Sequence, residues 1–292
     1  MIDSRRIKKF WMRHLRHVVS FAEVLSGRKF PIFLDYHINP VPRYGYGKPP
    51  HKKLYELIND NSEIYKKNLV EFRSRCDAFL RINGCEKSDS SLEPHLSNDF
   101  VPVLDALVLY SFLTSSNPGH YFEIGSGEST KFARRAIRDS GLRTRITSID
   151  PFPRSRINTI CDVVVRRPVE EIDLNLFEKL EADDILFVDG SHRVFQNSDV
   201  TVCFLDILPL LKPGVLVHFH DIVLPWDYSQ EYGGQRYYSE QYLLAAFILA
   251  EGNRFEIVMP NFFVSHKPQF RGILEQLNIG RPSGSSFWIR MN

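Results

Sequence analysis

From position 121 onward, short apolar runs alternate with stretches of helical spacing. The runs at 121–124, 145–149, 162–165, 184–188, 214–219, 255–259 and 286–290 have the length and composition of buried strands. Between the first two, residues 131–141 place Phe132, Ala133, Ala136 and Ile137 on one helical face and end on a glycine. Residues 101–113 read as the helix entering this region, and 239–250 as another, with Tyr242, Leu243, Leu244, Phe247 and Ile248 turned to the core. Helical spacing also runs through 52–83, and polar 86–99 reads as a connection. The alternation predicts an α/β fold: a doubly wound, seven-stranded, mostly parallel sheet with helices on both faces. Residues 1–100 are expected to form an N-terminal helical and loop extension, serving as a substrate lid or dimer contact, and 101–292 the main domain.

In a doubly wound sheet, ligands bind at the carboxyl ends of the strands, so the residues after each run form one converging set. After the first come Gly125, Ser126, Gly127 and Ser129, a tight turn opening a helix, in which glycine lets the backbone approach a ligand closely. Glu123 ends that run. A carboxylate there repels a pyrophosphate and suits a ligand bearing an ammonium and a sulfonium. Thr130 stands where the dinucleotide fingerprint wants a third glycine. Asp150 follows the second run, 25 residues past Gly125. In nucleotide-binding units a carboxylate about 20 residues past the glycines accepts ribose hydroxyls. Val169, after the third run, can line an adenine. Asp189, Gly190, Ser191 and His192 follow the fourth, and His220 and Asp221 the fifth.

Composition narrows the class. The 292 residues carry a net charge of +2, which gives no electrostatic reason to expect nucleic acid. No apolar run approaches the ~20 residues of a membrane span. Four cysteines (Cys76, Cys85, Cys161 and Cys203) lack paired metal spacing and are expected to be reduced thiols of a cytoplasmic protein. Near the start, Arg5, Arg6, Lys8, Lys9, Arg13 and Arg16 interleave with apolar residues. This basic amphipathic segment is expected to dock on its own chain or on a second subunit, making a homodimer, in preference to a membrane surface.

The runs Glu-Ile-Gly-Ser-Gly-Glu-Ser-Thr at 123–130, Ser-Ile-Asp-Pro at 148–151, Phe-Val-Asp-Gly-Ser-His at 187–192 and His-Asp-Ile at 220–222 resemble the class I S-adenosylmethionine (SAM)-dependent methyltransferases, most closely the methyltransferase-24 type. The likeness spans about residues 100–265, and the Pro-Arg-Tyr-Gly-Tyr-Gly-Lys-Pro-Pro-His run at 42–51 is similar to bacterial relatives. The departure is Glu128, where many such enzymes have a third glycine. The resemblance implies a Rossmann-like sheet whose last strand is antiparallel, SAM as cofactor, Glu123 on its amino group and Asp150 on its ribose.

Methyl transfer to a hydroxyl needs alignment and a base, for which His192 and His220 are the candidates, His192 first because its turn projects it from the edge, although lone histidines at strand ends more often make a local hydrogen bond. A metal is the other use of the same edge. Asp189, Asp221 and His192 have the donor chemistry for Mg²⁺ or Mn²⁺, unless Asp189 serves the cofactor and Asp221 caps a turn. The expected acceptor is a hydroxyl of a small molecule or glycan, met by the aromatic insert after Asp221 (Trp226, Tyr228, Tyr232, Tyr237, Tyr238) and by the Tyr44–Tyr46 loop. The alternatives are an NAD(P)-dependent oxidoreductase sharing the glycine turn, and a catalytically silent protein of the same fold.

Overall fold

The computed structural model describes residues 24–26, 35, 37–84, 92–154 and 156–292, so the expected basic helix of the first thirty residues lies outside them but for 24–26. Val41–Asn292 form one compact unit. Its centre is a seven-stranded sheet: β1 (His120–Ile124), β2 (Arg145–Ile149), β3 (Val163–Val165), β4 (Ile185–Val188), β5 (Leu216–Phe219), β6 (Phe255–Pro260) and β7 (Phe287–Met291). All seven lie within two residues of the apolar runs that predict them. The order is β3-β2-β1-β4-β5-β7-β6, with β7 antiparallel to both neighbours and the pairs among β1 to β5 parallel. The chain thus winds outward one way from β1 and the other way from β4. The switch point falls between these two strands, where a crevice opens.

Helix Val103–Ser116 packs against the sheet with every residue from Leu104 to Leu113 buried. Apart from Asp105 and Ser111 this stretch is apolar all round, as suits a helix enclosed on every side. Helix Glu128–Ser140 is amphipathic instead, and buries the Phe132, Ala133, Ala136 and Ile137 face that its spacing predicts. It ends on Gly141, whose left-handed backbone (φ 60°) closes the last turn.

The helices Lys52–Asp60 and Ser62–Arg73 pack over the β6 side. There the β6–β7 register shifts between Ile257 and Met259. The Asn61 amide donates to the Ile257 carbonyl at 3.3 Å and the Asn68 amide to the Val258 carbonyl at 2.9 Å, so side chains take up groups beside the irregularity. The proline- and glycine-rich loop is docked on the insert after β5. Asp227 accepts from the Arg43 and Tyr44 amides at 2.6 and 3.0 Å, and a Cβ on Gly45 would meet the Trp226 ring at 2.8 Å. No helix among the described residues is long and apolar enough to cross a membrane.

Candidate active site

Backbone hydrogen bonds pin the strand ends into one rim. The Gly125 amide donates to Ile149, Asp150 to Val165, Asp189 to Ile124 and His220 to Val188, all at 2.9–3.1 Å. Gly125 (φ +80°) packs so closely on β4 that a Cβ there would stand 1.9 Å from the Asp189 carbonyl oxygen. That contact requires glycine on two counts, the left-handed backbone and the missing side chain. From this rim the turn swings out to start helix Glu128–Ser140. Asp150 braces it by accepting the Ser126 amide on Oδ2 at 2.8 Å and the Phe152 amide on Oδ1 at 2.7 Å.

A cavity of about 800 Å³ opens above the switch point. Gly125, Ser126, Gly127, Ser129, Asp150, Val169 and Asp189, seven of the eight residues the sequence nominates for the cofactor, line it. Its size suits a nucleoside-sized ligand. A carboxylate offers about four lone-pair positions, so Asp150 keeps acceptor capacity after its two amides. The wall is completed by residues that sequence reasoning missed: His95 and Asn98 to Val101 ahead of helix Val103–Ser116, then Phe152 and Arg154, and the Glu128–Lys131 pair. The i,i+3 spacing of Glu128 and Lys131 is the signal that could have found the last of these.

Glu123, the eighth, does not line the cavity. It is fully buried; its Oε1 accepts from the Tyr121 hydroxyl at 2.8 Å and its Oε2 from the Thr130 hydroxyl. Thr130 in turn accepts the Gly127 amide at 3.1 Å. Instead of reaching the cavity wall, as the expected contact with a ligand ammonium needs, this carboxylate lies beneath the turn and ties strand to helix. Tyr121 and Glu123 are two apart on one strand, hence on one face, which is the spacing that makes the pairing. Burial pushes the Glu123 carboxyl up to about 7, against the hydrogen bonds from Ser129, Thr130 and Tyr121.

Behind Asp189 lies a dense polar cluster. His192 and His220 are each 4% exposed and do not line the cavity, so neither candidate base faces it. His192 Nδ1 lies 2.8 Å from Glu240 Oε2, and Nε2 lies 3.2 Å from Asp189 Oδ1 and 3.8 Å from Asp221. Burial alone would lower the His192 pKa, but Asp189 and Glu240 together raise it well above the ordinary imidazole value. Burial likewise opposes a charge on His220, which Asp189, Asp221 and Asp105 raise nonetheless. Asp189 gains the complement. Burial would raise its pKa, yet His220 and His192 hold it well below the usual carboxylate range. His192 and Asp221 both sit in the left-handed region, at φ 60° and 53°. The His192 carbonyl accepts from the Ser239 and Glu240 amides at 2.8 and 3.1 Å, which fixes that strained turn on the next helix.

This arrangement lends the metal expectation no support. Among the described residues no group of three or more His, Cys, Asp or Glu side chains is placed to hold a metal ion. A carboxylate stands at each ring nitrogen of His192, so both nitrogens are already engaged. The aromatic insert is likewise not on the cavity wall. Tyr232 and Tyr238 stack at 5.2 Å with Arg236 over both, and Tyr238 lies 4.5 Å from the His192 ring, so these rings pack behind the histidine cluster.

The chain is 16% identical to an O-methyltransferase from Bacillus cereus solved in complex with S-adenosylhomocysteine (SAH), covering 75% of this chain and 90% of that one with a TM-score of 0.40. It is 15% identical to the SAH-bound Podospora anserina methyltransferase PaMTH1, covering 85% and 100% with a TM-score of 0.41. No curated protein gives a significant match. Residues 122–222 match the family model described as a methyltransferase domain, of the methyltransferase-24 type. The match runs from β1 to the residue after Asp221 and so takes in every strand end that forms the rim. The segment 122–222 is thus similar to a methyltransferase domain.

Proposed function

We propose that the protein transfers a methyl group from S-adenosylmethionine to an oxygen of a hydroxylated small molecule or glycan. The observation that carries this reading is the cavity at the β1–β4 switch point, lined within the matched segment by the glycine turn, Asp150 and Val169. These residues fit the cofactor: Gly127 leaves room for close approach, Asp150 retains acceptors for ribose hydroxyls, and Val169 presents an apolar side chain to a base. When bound, the cofactor supplies a methyl group activated by its sulfonium. What this chain adds is alignment, the dominant contribution in an in-line displacement.

Asp189 is the polar group best placed for an acceptor oxygen. It faces the cavity, and His220 and His192 beside it hold its carboxyl well below the usual carboxylate range. A carboxylate in that state accepts the hydrogen bond of a hydroxyl and turns an oxygen lone pair toward the methyl carbon. A bound cofactor would supply the methyl group as its sulfur–carbon bond breaks and S-adenosylhomocysteine leaves, and the hydroxyl proton, made acidic by the attack, would be taken even by a weak base. Asp189 receives it and passes it to solvent. His192 and His220 act in this scheme as positioning residues that set the charge of Asp189.

Isothermal titration with SAH tests the cofactor half. Asp150→Ala is expected to weaken binding by about tenfold or more while leaving the fold intact by circular dichroism. Unchanged affinity in a folded variant would contradict the reading.

A further inference from the structure

Sealing Glu123 leaves a gap that the cavity wall itself fills. A cofactor bearing an amino-acid end brings an ammonium and a carboxylate together, and both need partners when taken out of water. At the start of helix Glu128–Ser140, Lys131 Nζ lies 2.6 Å from Glu128 Oε1, with side chains 4% and 12% exposed. Both residues line the cavity. An ammonium has three donors, and among the described residues Lys131 gives a hydrogen bond to Glu128 alone. A lysine so buried, on the wall of a ligand-sized space and with donors to spare, is suited to an anionic group. The neighbouring carboxylate is suited to a cationic one.

We infer that the Glu128–Lys131 pair recognises the zwitterionic amino-acid end of the cofactor, Lys131 taking its carboxylate and Glu128 its ammonium, in place of Glu123. This assignment rests on the cofactor reading above and adds to it a specific division of labour. It also gives a purpose to Glu128, the position where the motif departs from a third glycine. Lys131 and Glu128 already face each other, so with a zwitterion beside them neither charge would be buried alone.

The test compares two ligands that share the nucleoside and differ at that end: SAH, which carries the amino acid, and 5′-methylthioadenosine, which lacks it. Isothermal titration of Lys131→Met and Glu128→Gln is expected to show SAH binding weakened about tenfold or more, with 5′-methylthioadenosine affinity unchanged. Equal losses for both ligands would show that the pair merely shapes the turn, and no loss for either would show that it does not touch the ligand. Each result overturns the assignment while leaving the cofactor reading standing. Failure of the unaltered protein to bind either ligand would overturn both.

Discussion

Glu123 carries a cost that its neighbours only partly offset. Its carboxyl is buried under the glycine turn, held by Tyr121 and Thr130, and its pKa rises from the ordinary 4.5 to about 7 because burial disfavours the charged form. Between those two values the folded chain holds a proton that the unfolded chain has released. The stability this group contributes is therefore complete below about pH 4.5, declines as pH rises, and is lost above about pH 7. The span corresponds to about 3 kcal/mol. Glu123→Gln removes the titration. The variant loses an acceptor, which shifts its stability by the same amount at every pH, but the slope should vanish. Urea midpoints at about pH 5 and about pH 7.5 are expected to favour the variant progressively as pH rises, by up to about 3 kcal/mol relative to its standing at the lower pH. Parallel curves for the two proteins would show that the carboxyl is not buried in solution. At this scale the sequence marks Glu123 as notable but misplaces its partner. A strand-end carboxylate is visible in a motif, whereas a tyrosine two residues earlier captures it only once the strand face is known.

The turn between β1 and helix Glu128–Ser140 holds two glycines with different duties. At Gly125 the backbone is left-handed and an added Cβ would stand 1.9 Å from the Asp189 carbonyl oxygen, so the side chain would push β1 and β4 apart. At Gly127 the backbone is extended (φ 178°) and nothing lies within 4 Å of an added Cβ. Gly125→Ala is expected to destabilise by about 3 kcal/mol or more, through strain and overpacking together. Gly127→Ala should leave stability within about 0.5 kcal/mol and weaken SAH binding, because its methyl occupies the cavity. Thermal unfolding and titration on the same two variants separate the duties, and equal stability losses would refute the distinction. Elements of this kind are largely legible beforehand. Buried parallel strands have to be short apolar runs, and the glycine turn, Asp150 and Val169 follow them in chain order. The 261–266 and 271–275 helices and the π-helical stretch at 203–207 are harder to read, since their short apolar segments carry too few turns to show a period. The histidine cluster is harder still. His192 meets Glu240 across 48 residues, and no spacing announces a contact that only the packing of helix Glu240–Leu249 creates.

At the scale of the whole molecule, the last strand to be made is among the most enclosed. β7 lies between β5 and β6, and Phe287, Trp288 and Ile289 are at most 1% exposed. The residues leading into it also brace the site. Ser285 and Ser286 give their amides to Asp105 at 2.8 and 3.1 Å, and Ser286 meets His218 Nε2 at 2.7 Å. Asp105 in turn lies 3.8 Å from His220, so the chain's end supports the charge cluster behind Asp189. Removing residues 286–292 would unpair β5 and β6 together and strip Asp105 of a backbone donor. That variant is expected to lose its cooperative thermal transition and its near-ultraviolet dichroism, with SAH binding abolished. A variant beginning at Val41 keeps a compact unit with its own core, and should unfold in a single cooperative step. A cooperative transition in the first variant would show that the sheet's integrity does not depend on the strand inserted between β5 and β6, and its absence in the second that residues 41–292 do not fold as one unit.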